Sequence, residues 1–159
     1  MLSLWGALHL ALAVGAARDN DRQPAWEHLR RADEAAKEVG EGRNDFHTEF
    51  GPTSVGVHSV AVAIELGDAG EALDAASRVD VSQLSAERQA RFLIDVARAY
   101  VQRRRAVEAV RALRDAERLA PEFVQEHRVA RELVRDLMGR AGDQSEELRE
   151  LAQKVDVAP

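Results

Sequence analysis

The stretch LIDVARAYVQRRRAVEAVRALRDAERLAP, residues 93–121, decides how this chain is read. Leu93, Val96, Ala97 and Tyr100 are apolar at i, i+3, i+4 and i+7, the spacing of one buried helix face. After Arg103, Arg104 and Arg105, the residues Ala109, Leu113 and Ala116 set out a second apolar face, and Pro121 closes the unit. The pattern predicts one helical hairpin of about 34 residues, a unit that buries its apolar face only by stacking on others. A stacked array of such hairpins is a binding surface more often than a reaction vessel.

Working outward, the same spacing returns. Ala25, Leu29 and Ala32 copy Ala109, Leu113 and Ala116, and Ala130, Leu133, Val134 and Leu137 copy Leu93 to Tyr100. Hairpins are expected at about 2–39, 54–79, 85–120 and 122–155, with a connection at 41–53, all within one domain over 1–159. Ala25 to Ala72 is 47 residues but Ala72 to Ala109 is 37, so the connection holds the extra length. Asp19, Asn20 and Asp21 make the first turn, Gly67 the second and the arginine triplet the third. Thr53 or Ser54 is expected to cap one helix, Asp68 with Glu71 another, and Asp143 with Glu146 the last. The fold class is all-α: about eight helices in a right-handed solenoid of about four antiparallel hairpins.

Composition bounds the function. The chain has 159 residues, 45% apolar and 31% charged, which is ordinary for a folded globular protein. Its net charge of -6 speaks against direct nucleic-acid binding, which calls for a basic footprint. With no cysteine there is no disulfide framework and no thiolate metal site, and a cytoplasmic address is expected. Residues 1–17 are apolar, yet no lysine or arginine precedes Arg18 and His9 interrupts the run. A secretion signal needs a basic start and a membrane span needs more length, so a buried helix is expected. That helix is apolar all round: Leu2, Leu4, Trp5, Leu8, Leu10, Leu12 and Val14 encircle it. Something should therefore cover it, either a preceding segment or a second copy of the chain in a homodimer.

The hairpins resemble tetratricopeptide repeats over most of the chain. The family's tryptophan and glycine positions are mostly filled by other residues, and only the third repeat has the closing proline. A narrower resemblance rests on Asn44, Thr48, Phe50-Gly51-Pro52-Thr53, Val55, His58, residues 60–62 and 65–72, and Arg91 to Tyr100. These are similar to the C-terminal repeat domain of actinobacterial Xre/Cro-type helix-turn-helix regulators. Ser54 stands where that group commonly has asparagine. The resemblance implies a regulatory ligand- or protein-binding domain of a transcriptional regulator. The DNA-binding domain is absent from these residues, since nothing reads as a basic recognition helix. A free-standing adaptor that assembles other proteins is the alternative.

Two sets of residues are candidates for binding. In similar repeats the first helix of each hairpin lines a groove, which places Arg91, Asp95, Arg98 and Gln102 on one stripe and Arg128, Arg131 and Arg135 on the next. Of the 22 basic residues only Lys37 and Lys154 are lysine, and arginine grips carboxylate or phosphate through a bidentate fork. The expected partner is an acidic peptide, a protein or a small anionic ligand. The bland reading is a wet face with Arg91–Asp95 and Glu132–Arg135 as local pairs. The second set lies in and after the connection: Asn44, His47, Phe50, Thr53 and His58. There a pocket competes with Phe46 and Phe50 simply plugging the joint. No histidine has metal-ligand spacing, and Ser85 and Ser145 read as caps. Neither an enzyme nor a cofactor or metal site is expected, and no membrane association.

Overall fold

The computed structural model describes residues 1–42, 49–140 and 145–158. Among these the chain is all-helical, with nine α-helices. They gather into two compact units, Met1–Asp80 and Val81–Pro159.

The first unit holds α1 (Leu2–Arg18), α2 (Arg22–Val39), α3 (Pro52–Glu65) and α4 (Ala69–Ala76). Helix α1 packs along α2, α3 along α4, and α3 also meets α1 and α2. The α1–α2 seam is built from small residues: Ala13, Ala17, Ala25, Ala32 and Ala36 are fully buried. Gly6 takes this furthest. A Cβ there would stand 2.1 Å from Cζ of Phe50, so only glycine admits the ring against α1. Phe50 is 2% exposed and belongs to this core.

The consequence for α1 is an inverted face. Ser3, Gly6, His9, Leu10, Ala13 and Ala17 point inward, while Leu4, Trp5, Leu8 and Leu12 are 51%, 43%, 57% and 44% exposed. His9 is buried by pairing: its Nδ1 lies 2.7 Å from Nδ1 of His28, one ring donating and the other accepting, and Trp5 packs edge-on against it. Burial, with His28 and Arg31 near, holds the His9 imidazole below its ordinary pKa.

The second unit holds α5 (Ala86–Gln102), α6 (Ala106–Leu119), α7 (Pro121–Glu126), α8 (Arg128–Gly139) and α9 (Glu146–Lys154). Ile94, Ala97, Ala109, Leu113 and Ala116 form the α5–α6 seam, joined by Val124 from α7, Val134 from α8 and Leu151 from α9. The expected fourth hairpin contains a break. His127 is extended at φ −76° and ψ 112°, splitting the first arm into α7 and α8. No glycine or proline signals this in the sequence; the imidazole Nδ1 accepts the Ala130 amide at 3.4 Å and starts the new helix.

One turn recurs across the chain. After α1, α3 and α5, a left-handed residue (Asn20, φ 57°; Gly67, φ 78°; Arg104, φ 57°) reverses the backbone. In each case the next amide reaches back five residues to the carbonyl of the third-last helical residue: Asp21 to Ala16, Asp68 to Ala63 and Arg105 to Tyr100, at 2.8, 2.8 and 2.9 Å. This is the Schellman closure, and only Gly67 carries the residue that adopts it without strain.

Two caps differ from the sequence expectation. Helix α3 starts at Gly51–Pro52, and its amide donor at Thr53 is satisfied by Glu41 Oε1 at 2.7 Å, with Thr53 Oγ1 adding a second bond at 2.8 Å. Asp68 makes no side-chain cap because Arg22 of α2 holds its carboxylate. At α9 Ser145 caps as expected, its Oγ accepting the Leu148 amide, while Asp143 lies outside the described residues. Ser85 caps α5 as expected.

Candidate functional site

The arginine stripes fall in the second unit. Helix α5 packs beside α7 and α8. Arg91 leaves Asp95 and lies over the Phe123 ring of α7, 5.4 Å from its centroid. Phe123 in turn packs against the His127 imidazole at 5.2 Å. Asp95 pairs with Arg98 at 3.5 Å, one turn along the same helix. Arg128 pairs weakly with Glu132 at 3.8 Å, so the anticipated Arg91–Asp95 and Glu132–Arg135 pairs give way to these.

His127 ties the two stripes together. Burial comes first, then the charges of Arg91 and Arg98, and together they hold its imidazole below the ordinary pKa. Because its Nδ1 accepts the Ala130 amide, the neutral ring carries its proton on Nε2, which is a donor. Arg131 sits one turn further along α8, on the same face. Its Nε is buried and has no hydrogen-bond partner among the described residues. A buried guanidinium donor without an acceptor is costly, and an incoming anion relieves the cost. Arg91, Arg98 and His127 thus form a donor-rich patch with Phe123 as an aromatic wall, and Arg131 follows one turn along α8. Gln102, Arg128 and Arg135 are exposed at its margins. His127 and Phe123 escaped the sequence reading because they lie on α7 and its break, where no helical period places them.

Of the residues expected around the connection, Phe50, Thr53 and His58 are described, and they have different surroundings. Phe50 is buried under Gly6. His58 lies a turn into α3 with Nδ1–H donating to the Ser54 carbonyl at 2.8 Å. Thr53 is bonded to Glu41 and lines a cavity of about 520 Å³ between α2, α3 and α4. Asn44 and His47 lie outside the described residues.

Among the described residues no cluster of three or more histidine, aspartate or glutamate side chains is arranged to hold a metal ion. No described helix is long and apolar enough to cross a membrane. No protein-family model, curated protein or solved structure matches the chain.

Proposed function

We propose that this chain is the regulatory binding domain of a helix-turn-helix transcriptional regulator, built as a tetratricopeptide-like solenoid. It captures an acidic peptide, an acidic protein segment or a small anion on the patch of Arg91, Arg98, His127 and Arg131. The observation that carries the reading is the buried, unpartnered Nε of Arg131, one turn along α8 from a histidine whose pKa is lowered by burial and by the charges of Arg91 and Arg98. The recurring Schellman turn after α1, α3 and α5 supports the repeat architecture, since stacked repeats reuse one backbone solution.

The double variant Arg98→Ala, Arg131→Ala tests the site. Calorimetric titration with an acetylated tetraglutamate peptide and with inorganic phosphate should show saturable binding to the parent chain. Loss of two charge-assisted contacts should weaken it about a hundredfold. Unchanged affinity in the double variant sinks the proposal.

The exposed leucines of α1 favour a second element of the reading, a homodimer through this helix, as dimeric operator-binding regulators require. The same face also suits the rival reading, an adaptor that docks other proteins. A folded chain that sediments as a monomer at high micromolar concentration would favour the adaptor.

A further inference from the structure

The cavity between α2, α3 and α4 has the opposite electrostatic character from the arginine patch. Its volume of about 520 Å³ lies in the range of small-ligand sites. One wall is the indole of Trp26, which packs its other side on the first unit's core. Glu41, Glu71 and Asp80 contribute three carboxylates, against one guanidinium from Arg78. Arg78, just after α4, is turned back toward that helix, where its Nε donates to the Asp74 carbonyl at 3.2 Å. Glu41 is fixed in place by its two bonds from Thr53. Glu71 has no hydrogen-bond or ion-pair partner among the described residues, so its carboxylate is available.

The cavity is also shaped by the backbone. A Cβ on Gly56 would stand 2.7 Å from Cγ2 of Val79, so glycine here lets α3 and the turn after α4 close up and form the floor. Pro52, Ala75 and Val79 make that floor apolar.

We propose that this cavity receives the arginine or lysine side chain of a basic peptide segment. The apolar stem would lie against Ala75 and Val79, the cationic head over the Trp26 face, and Glu71 would accept its hydrogen bonds. Tryptophan is the strongest aromatic partner for a cation, and an excess of carboxylates adds to the attraction. The site is independent of the arginine patch and would stand if that patch proved idle.

The test uses Trp26 as its own reporter. In a Trp5→Phe chain, Trp26 is the sole tryptophan. Its fluorescence is followed while N-acetyl-arginine amide, N-acetyl-norleucine amide or N-acetyl-glutamate amide is added. Only the arginine compound should saturate, and Glu71→Gln should weaken it about fivefold, the upper end for a solvent-screened ion pair. Ala75→Leu, which fills the floor, should abolish the response while leaving the helical circular dichroism unchanged. Equal binding of the neutral or acidic compound overturns the proposal, and so does an affinity that neither variant changes.

Discussion

Helices α1 and α8 both carry leucines and small residues, and they use them in opposite ways. In α8 the rule of amphipathic helices holds: Ala130, Val134, Leu137 and Met138 are buried, and Arg128, Glu132, Arg135 and Asp136 are exposed. In α1 the buried face is Ser3, Gly6, His9, Ala13 and Ala17, with Leu10 the one large aliphatic side chain, and the other leucines point out. The difference lies in helix approach. Between α1 and α2 most of the buried residues are alanine, with Leu10 and Leu29 the large aliphatic side chains, so the seam has little room for a row of leucines. Hydrophobicity says that a residue gains by leaving water; the neighbouring surface says whether there is room.

The largest test of this contrast compares two leucines. Leu113→Ala, at 0% exposure, should lower the unfolding free energy by about 3 kcal/mol in urea. Leu8→Ala, at 57% exposure, should change it by less than about 0.5 kcal/mol. A cost for Leu8 near that for Leu113, rising with protein concentration, would show the α1 face covered by a second copy.

Gly6→Ala tests the close approach directly. The added methyl collides with the Phe50 ring and should cost about 2 kcal/mol. Adding Phe50→Leu should recover much of that cost, and two additive losses would mean that the ring is not the obstacle.

The turns give a smaller effect of the opposite sign. Arg104 occupies the left-handed position that Gly67 fills in the preceding hairpin. Arg104→Gly should stabilise the second unit by about 0.5–1 kcal/mol, because the strain of a side chain there exceeds the added entropy of glycine. The matching change at Gly67, to alanine, should destabilise the first unit; equal effects of one sign would contradict a shared turn.

The smallest effect concerns pH. His127 has a folded pKa below its unfolded value near 6.5, so the folded state binds the proton less well than the unfolded state. Its neutral form therefore contributes stability that is full above pH about 6.5 and is lost as pH falls through the lowered folded value. Protonation at Nδ1 would also remove the acceptor for the Ala130 amide and add charge beside Arg91 and Arg98. His127→Asn keeps a capping oxygen and removes the titration. Melting temperatures from pH 7.5 to 5 should fall less in this variant than in the parent; parallel curves would exclude His127 as a source of the acid sensitivity. His9 contributes in the same direction and remains in both proteins.

Much of the candidate patch was legible. The i, i+4, i+7 spacing put Arg91, Asp95 and Arg98 on one face, and they share it. What was not legible was who meets whom. Arg91 found Phe123 instead of Asp95, and His127 became the link between stripes because it caps α8. In the first unit Phe50 goes under α1, and Thr53 lines a cavity whose Trp26 and Glu71 come from other helices.

The sequence by itself determined the all-helical class, the approximate ends of α1, α2, α5 and α6, and the turns between them. Those features depend on residues within a few positions of each other, where propensity, period and turn chemistry act directly. The tertiary structure alone decided which face of α1 is buried, that Glu41 rather than Thr53 or Ser54 caps α3, and that Arg22 takes Asp68 from its own helix. Those outcomes depend on pairs 12 to 46 positions apart. Their energies exist only after the helices have packed, so no local pattern can encode them.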